Sequence, residues 1–163
     1  MKWSGSLLHI HIALAASYEM AELAEAKLVA GRGIEGDRYF LGTGTYSAKP
    51  DIREVTLIES EVLDSIRQGE PKIPGIAITL DPSEHRRNLT TLGVPLNHLV
   101  GKRFRVGETV LFGGRLNFPC KYIEELLDMP RLYDALLNRS GLNCTIEKGG
   151  TIRPGDLIEP LEG

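Results

Sequence analysis

The sequence predicts a mainly β protein with a few helices, folded as a closed or nearly closed β-barrel. Eight short runs of β-forming residues are separated by turn residues such as Gly and Pro. Three further segments have helical periodicity, and they do not alternate regularly with the strands, which disfavours a βαβ sandwich. The 163 residues, 42% of them apolar, suffice for a single domain over residues 1–163 with one closed core.

Each predicted strand is a short run in which apolar and polar residues alternate or β-branched residues cluster. The eight strands are predicted at Ser6–Leu14, Ala26–Ala30, Glu54–Ile58, Asn88–Thr91, Arg103–Val106, Thr109–Gly113, Leu142–Glu147 and Leu157–Glu159. The two runs of FRVGETVLFGG flank Gly-Glu and indicate a hairpin.

The predicted helices have start and stop signals. SEVLDSIRQG begins with Ser60, a good N-cap residue, and stops at Gly69. CKYIEELLDM has apolar residues at helical spacing, and PRLYDALLNRSG (130–141) begins with Pro130, which suits a first helical turn. Two long loops remain, Leu41–Glu54 and 68–84, and loops of this length are usually functional or mobile.

Composition limits the function. The net charge is −3, whereas a generic nucleic-acid-binding protein usually has a basic excess. The apolar run near the N-terminus is interrupted by His9 and His11 and is far shorter than the roughly 20 residues of a membrane span. We therefore expect a cytoplasmic protein that binds neither nucleic acid nor membrane. A small anionic ligand needs only a few local cations and remains compatible with the charge.

The segment GRGIEGDRYF combines a flexible backbone with a carboxylate and a guanidinium. It lacks the spacing of GxGxxG and the Gly-Lys-Ser/Thr of a phosphate-binding loop, and it does not open a clear helix. A tight turn explains its glycines but not Asp37 and Arg38. One interpretation is a ligand site, and the other is a solvated loop in which Asp37 and Arg38 pair.

A second candidate is the Arg pair in EHRRNLTTLGVPLN. Arg86 and Arg87 are adjacent, so in a regular strand they point to opposite faces and at most one enters a site. Arginine suits phosphate or carboxylate because its planar fork donates two parallel hydrogen bonds, and Asn88 adds an amide. A solvated basic pair is the alternative, and on the pattern alone it is favoured.

The third candidate is Cys120, which follows Pro119 in GGRLNFPCKYIEE and precedes a predicted helix. A thiol at a helix N-terminus is favoured as the reactive thiolate, and Arg115 and Lys121 add positive charge. The alternative is a small buried apolar residue, which describes Cys144 in the strand LNCTIEK better. His9 and His11 share a strand face without a third ligand in reach, and no zinc cluster is evident.

Taken together, the segments resemble one family. GRGIEGDRYF, REVTLIESEVLDSI, RRNLTTLGVPLNHLVGKRFRVGETVLFGG, PC before a Leu-rich helix, and GGTIRPGD look like a MOSC domain, the module at the C-terminus of molybdenum cofactor sulfurases. The resemblance extends over residues 6–160, and the order of five blocks is more specific than any one of them. It implies a fold similar to the barrel domain of pyruvate kinase.

The resemblance also implies a site for molybdenum cofactor, a phosphate-bearing pterin whose dithiolene binds Mo. In the family a cysteine carries sulfur as a persulfide or ligates Mo, and some members reduce N-hydroxylated compounds. Cys120 is the matching thiol, expected as catalytic residue and metal ligand. The residues expected at the cofactor are Gly33, Gly36, Asp37, Arg38, Arg86, Arg87, Asn88, Arg115 and Asn117.

The chain also departs from the family. Asn117 stands where many small bacterial members have a first Cys, so a non-catalytic module that binds and delivers the cofactor is the alternative function. The chain contains no pyridoxal-phosphate domain and no ferredoxin-like cysteine set. Sulfur or electrons are therefore expected from a partner protein, and the loop Leu41–Glu54 is predicted as a lid or a partner contact. A homodimer is compatible with the sequence.

Overall fold

The computed structural model describes residues 2–70, 72, 74 and 78–161. Residues 71, 73 and 75–77 of the second predicted loop lie outside the described residues. The strands of the described part are β1 Gly5–Ile12, β2 Ala21–Glu22, β3 Ala26–Val29, β4 Gly33–Ile34, β5 Val55–Glu59, β6 Leu89–Leu92, β7 Arg103–Val106, β8 Thr109–Leu116, β9 Leu142–Lys148, β10 Gly150–Ile152 and β11 Leu157–Pro160. The α-helices are α1 Arg38–Leu41, α2 Ser60–Gln68, α3 Lys121–Leu127 and α4 Leu132–Leu136, and a 3-10 turn spans Leu96–His98.

Seven strands form a closed barrel, which confirms the predicted fold class. The strands follow one another around the barrel in the order β1, β6, β5, β9, β8, β7 and β11, and β11 pairs with β1 again. The closing register joins Gly5 to Ile158 and Ser6 to Leu157. Among the pairs of these seven strands only β5–β6 is parallel, and α2 and the loop after it connect the two strands.

A second sheet of β10, β3 and β4 stands beside the barrel. Its strands β4 and β10, like β2 at the barrel edge, were not predicted, because runs of two or three residues carry no detectable alternation. This sheet determines the position of GRGIEGDRYF. Gly33 and Ile34 pair with β3, and the segment then turns into α1.

Two apolar clusters stabilise the fold. One fills the barrel with fully buried side chains such as Leu7, Phe104 and Leu111. The other lies between the outer face of β5, where Ile58 is buried, and the helices α2, α3 and α4. Cys120 packs against the second cluster. The helices therefore hold the start of α3 against the outside of the barrel.

The predicted helices are present, but two are shorter than predicted. The first ends at Gln68, where Gly69 adopts the left-handed conformation expected of a C-terminal glycine. The prediction of a helix over 130–141 was too long. The chain enters α4 through Arg131 in a left-handed conformation and leaves it at Leu137, whose ψ of 128° is extended. No helix in the described part of the chain has the length and apolar character that crossing a membrane requires.

Candidate functional site

A pocket of about 420 Å³ collects the candidate motifs. Its lining comes from the segments 38–56, 86–87, 115–123 and residue 143, which are far apart in the sequence. The lining residues are Arg38, Tyr39, Thr45, Tyr46, Asp51, Arg53, Thr56, Arg86, Arg87, Arg115, Asn117, Phe118, Pro119, Cys120, Tyr122, Ile123 and Asn143. Five are arginines and one is an aspartate, so the pocket is strongly cationic although the chain is acidic overall.

The predicted site residues fall into three groups in the structure. Those that line the pocket are Arg38, Arg86, Arg87, Arg115, Asn117 and Cys120. Asp37 and Asn88 are fully buried and do not line it, but they contact residues that do. Gly33 and Gly36 are not part of the lining and serve the turn that leads into α1.

Both arginines of the predicted pair reach the pocket. The pair precedes both the predicted strand, which begins at Asn88, and the observed β6, which begins at Leu89, so it lies outside the sheet. Arg86 has a φ of 65°, which is uncommon for a residue with a Cβ. This left-handed residue breaks the alternation of a strand, and Arg86 and Arg87 line the same cavity. Residues held in sparsely populated conformations cluster at functional sites.

Arg87 is a buried cation whose hydrogen bonds go to neutral acceptors. Its Nε donates to the carbonyl oxygen of Ser140 at 3.0 Å, and its Nη2 donates to Asn117 Oδ1 at 2.7 Å and to Ser140 Oγ. Its Nη1 donates to the carbonyl oxygen of His85. No carboxylate of the described residues pairs with it. Burial lowers the pKa of Arg87 to about 10, and the sulfur of Cys120 opposes this shift.

Arg86 is likewise not paired with a carboxylate in the described part of the chain. It donates from Nη1 to the carbonyl oxygen of Tyr18 at 2.8 Å. Burial lowers the pKa of Arg86, and the charge of Arg38 adds to this shift. The carbonyl oxygen of Arg86 accepts from Arg38 Nη2 at 2.9 Å, so Arg38 fixes the backbone of the pair formed by Arg86 and Arg87.

The segment GRGIEGDRYF contributes Arg38 and Tyr39 to the wall of this pocket, and Asp37 holds Arg38 from behind. Contrary to the sequence interpretation, the segment does open a helix, the four-residue α1, and Asp37 is its N-cap. The fully buried carboxylate accepts from Arg38 Nη1 at 3.0 Å and from the backbone N–H of Ala13 at 3.2 Å. The predicted pairing of Asp37 and Arg38 is therefore present, but buried rather than solvated. A helix of one turn carries no detectable periodicity, which explains why the sequence did not predict it.

The two glycines have backbone roles in the same segment. Gly33 has a φ of 136°, and a Cβ there would come within 3.0 Å of the carbonyl oxygen of Glu54. Gly36 has a φ of 88°, and a Cβ there would make only an ordinary contact with Ile12 Cδ1 at 3.5 Å, so the backbone conformation rather than crowding favours glycine. The expectation that both lie at a cofactor stays a prediction.

Asn88 holds two barrel strands together behind the pocket. Its Oδ1 accepts from the backbone N–H and from the hydroxyl of Thr56, both at 3.1 Å. Its Nδ2 donates to the carbonyl oxygen of His11 at 3.1 Å. Both polar atoms of the Asn88 side chain are thus hydrogen-bonded within the protein. Thr56, and not Asn88, lines the pocket.

Asn117 belongs to an amide network on the pocket floor. Besides accepting from Arg87, its Oδ1 accepts from Ser140 Oγ at 3.1 Å, and its Nδ2 donates to Asn143 Oδ1 at 2.7 Å. Asn143 in turn donates to the carbonyl oxygen of Ile52 at 2.9 Å. Sequence reasoning missed Ser140 and Asn143, because no spacing signal links either residue to a motif.

Cys120 lies at the pocket as the N-cap residue of α3, partly buried. Tyr46 is its neighbour, and interaction with Cys120, followed by burial, raises the pKa of Tyr46 to about 12. Cys144 is fully buried in β9, and burial raises the pKa of its thiol. The two cysteines therefore have the different settings that the sequence predicts. Tyr39, Tyr46 and Tyr122 add aromatic walls that the sequence analysis did not single out.

The histidines do not form a metal site within the described residues. His9 pairs with Glu22 at 2.7 Å. His11 is buried with its Nδ1 unpartnered, and burial lowers its pKa. His85 is completely buried: its Nε2 lies 2.9 Å from Thr90 Oγ1, and its Nδ1 accepts from the backbone N–H of Arg87. His85 thus supports the arginine pair from behind.

The buried His85 predicts an acid-sensitive contribution to stability. Burial, and then the charge of Arg87, hold the pKa of His85 well below 6.5 in the folded protein. The unfolded chain therefore binds the proton more readily, and the contribution of His85 to the free energy of unfolding is greatest above about pH 6.5 and falls as the pH drops. We expect wild type to lose about 1.4 kcal/mol more than His85→Asn between about pH 7.5 and 5.5 in urea unfolding. His98→Asn, at an exposed histidine, should follow wild type, and equal pH dependence of wild type and His85→Asn would contradict the assignment.

Comparison with known proteins agrees with this architecture. The model of the MOSC domain family matches residues 44–159. The fold is similar to that of YuaD from Bacillus subtilis, with a TM-score of 0.78 at 21% identity over 99% of both chains. It is also similar to YiiM from Geobacillus stearothermophilus, with a TM-score of 0.72 at 13% identity over 97% of this chain and 75% of that one. YiiM from Escherichia coli has a TM-score of 0.65 at 17% identity over 100% and 71%.

The search of curated proteins gave no match. The structural similarities, all at low identity, concern the fold alone. The match of the family model covers well over half of the sequence and includes most of the loop Leu41–Glu54, the arginine pair and Cys120. The chain therefore belongs to the MOSC domain family.

Proposed function

We propose that this protein binds molybdenum cofactor in the arginine-lined pocket and that Cys120 acts there, as a ligand of molybdenum or as a thiol that carries sulfur. The observation that supports the proposal most is Arg87. Its guanidinium is buried at the pocket and has no carboxylate partner among the described residues. Burying an uncompensated charge is costly, and an anionic ligand in the pocket would remove that cost.

The lining fits the parts of such a cofactor. Arg86, whose guanidinium makes a single hydrogen bond to the carbonyl oxygen of Tyr18, offers a planar fork that suits a phosphate. Arg87 adds its buried positive charge, because most of its N–H groups already donate within the protein. Tyr39, Tyr122 and Phe118 offer aromatic faces for a flat heterocycle. When bound, the cofactor would supply oxygen-atom or sulfur exchange at molybdenum. The protein's own contribution is to neutralise the phosphate, to orient the ring and to present one thiol.

Cys120 is the thiol suited to sulfur transfer. Its thiolate would attack the outer sulfur of a persulfide on a donor protein, and the donor would leave as a thiolate while Cys120 keeps the sulfur. The sulfur of Cys144 is completely buried and not accessible to a donor. In the reductase form of the function, a partner protein would supply the two electrons with which an N-hydroxylated compound and two protons yield the amine and water.

A second candidate is a module that binds and delivers the cofactor without catalysis. Asn117 favours it, because the residue is not a thiol and both polar atoms of its side chain are already hydrogen-bonded within the pocket floor. The two candidates share the binding step and differ in the use of Cys120.

The test is to produce the protein in a host that makes molybdenum cofactor and to measure bound molybdenum and pterin. Wild type is compared with Cys120→Ser and with Cys144→Ala, in which alanine avoids placing a hydroxyl in the barrel core. We expect wild type and Cys144→Ala to retain both components and Cys120→Ser to lose molybdenum. Equal retention of molybdenum and pterin by all three, with a persulfide on Cys120 in mass spectra, would identify a carrier. Equal retention without a persulfide would identify the delivery module. Absence of pterin from all three would overturn the proposal.

A further inference from the structure

Asp51 contributes the one carboxylate among the residues that line the pocket. It lies between two arginines of the lining. Its Oδ1 accepts from Arg115 Nε at 2.9 Å, its Oδ2 accepts from Arg115 Nη2, and its Oδ2 also accepts from Arg53 Nη2 at 2.8 Å. Hydrogen bonding to Arg115 lowers the pKa of Asp51 to about 2, so the carboxylate is charged at neutral pH.

Asp51 is carried by the loop that forms one side of the pocket. Near the start of the loop, the hydroxyl of Thr43 donates to the carbonyl oxygen of Leu14 at 2.6 Å, and near its end Asn143 holds the carbonyl oxygen of Ile52. Between these points the hydrogen bonds are mostly local. Gly44 and Ser47 bond to each other, and the backbone N–H of Lys49 donates to the carbonyl oxygen of Tyr46. The bond of Asp51 to Arg115 therefore joins the loop to the barrel strand β8.

The contact is of a kind that a ligand can replace. A carboxylate that accepts two parallel hydrogen bonds from Nε and Nη2, along one edge of a guanidinium, has the geometry in which arginine also binds a ligand carboxylate or phosphate. The side chains of Arg115 and Asp51 remain 28% and 25% exposed, and ion pairs that water reaches contribute at most about 1 kcal/mol. An oxyanion from solution thus competes with Asp51 at little cost in stability.

We infer that Arg115 and Arg53 form a second anion subsite at the pocket, occupied in the free protein by Asp51, and that the substrate admitted beside Cys120 carries a carboxylate or phosphate that displaces Asp51. The subsite is separate from Arg86 and Arg87, which are not neutralised by Asp51. The inference concerns the same pocket as the proposed function, but it does not require the cofactor to be bound. Displacement of Asp51 removes the ion pair that joins the loop to Arg115 of β8, so we expect binding of the anion to loosen the part of the loop before Ile52, which Asn143 still holds.

Alkylation of Cys120 provides the test, because the thiol lines the same pocket. Iodoacetate and iodoacetamide both transfer a two-carbon group to sulfur and release iodide, but only iodoacetate carries a carboxylate. The ratio of their rate constants therefore reports the affinity of the pocket for an oxyanion, independently of the thiol's own reactivity. Alkylation of Cys144, which is completely buried, reports unfolding in the same samples.

We expect Asp51→Asn to raise the ratio of iodoacetate to iodoacetamide rates about five-fold, because the variant vacates Arg115 and keeps a side chain of equal size. Arg115→Gln in the Asp51→Asn background should remove the gain. Asp64→Asn, which breaks an exposed ion pair with Arg67 on α2, is the matched control and should leave the ratio at its wild-type value. Acetate and inorganic phosphate, added as competitors, should protect Cys120 from iodoacetamide more effectively in Asp51→Asn, and the better competitor identifies the preferred oxyanion.

Two results would overturn the inference. An equal increase for both reagents in Asp51→Asn would mean that the loop opens without exposing an anion subsite. The second result is an increase in the rate ratio that appears only at low salt and disappears at an ionic strength of about 0.15 M. Because interactions between charges more than about 8 Å apart are largely screened at that ionic strength, the increase would then come from the general positive field of the pocket and not from a subsite. The alkylation experiment uses protein from a host that does not make molybdenum cofactor. Its result therefore does not depend on whether the protein binds the cofactor.

Discussion

Replacement of Arg87 with glutamine is expected to abolish retention of an anionic cofactor. The guanidinium is buried at the pocket, and no carboxylate of the described chain neutralises it. Truncating one member of a desolvated charge pair typically costs 2 to 5 kcal/mol of binding free energy, so we expect affinity to fall by at least about 30-fold. Bound pterin per protein, measured after purification from a host that makes the cofactor, should drop below detection.

Two further variants separate charge from hydrogen bonding. Arg87→Lys keeps the positive charge but lacks the fork that reaches Ser140 and Asn117 together, so we expect it to retain part of the bound pterin. Arg67→Gln, at an exposed arginine of α2, should bind as wild type does. Undiminished pterin in Arg87→Gln, with a folded protein, would show that the buried guanidinium serves the amide network rather than a ligand.

The barrel could be predicted from the sequence because its strands are long enough to alternate. β1 and β8 have eight residues each, and both lie close to their predicted ranges. The strands β2 and β4 have two residues each and were missed. Pairing of the parallel strands β5 and β6 could not be predicted either, because α2 and the loop after it separate the two strands in the sequence, and no local pattern indicates that they are neighbours. Closure of the barrel depends on such long-range pairings and not on local signals.

The site could be predicted only in part. The motifs identified four arginines, Asn117 and the thiol of Cys120, all of which line the pocket. The structure adds what no linear pattern carries: the left-handed backbone at Arg86 that brings two adjacent side chains into one cavity. The partners Ser140 and Asn143 come from segments without a motif, and they make Asn117 part of a network rather than a free ligand.

The structure explains why GRGIEGDRYF contains both Asp37 and Arg38. Gly33 begins β4, Gly36 lies in the turn after it, and Asp37 then caps α1 and holds Arg38. Arg38 in turn holds the carbonyl oxygen of Arg86. Carboxylate and guanidinium stand together because a buried anion orients one arginine, and that arginine fixes the backbone of another. The shape of the pocket therefore depends on Asp37, although Asp37 itself does not line the pocket.

Asp37→Asn is accordingly expected to cost more stability than any change at the pocket surface. The carboxylate is completely buried, and Arg38, whose side chain is 6% exposed, would lose its counter-charge. Breaking a buried pair by removing one partner typically costs 3 to 5 kcal/mol. For a chain of 163 residues we expect the unfolding midpoint to fall by roughly 6 to 20 °C, with a matching loss in urea unfolding.

A double variant decides whether this loss comes from the unpaired charge. Asp37→Asn combined with Arg38→Met removes both charges, and replacing a buried pair by groups without charge is often close to neutral. We expect the double variant to recover more than half of the stability that Asp37→Asn loses, whereas the N-cap bond to Tyr39 contributes only about 1 kcal/mol. If the double variant were as unstable as the single one, the role of Asp37 would lie in its bonds to the backbone of Ala13 and Tyr39. The double variant could also recover stability without recovering bound pterin. The charges of the Asp37–Arg38 pair would then be dispensable for folding but required for binding, and the pair would be the element that shapes the anion pocket.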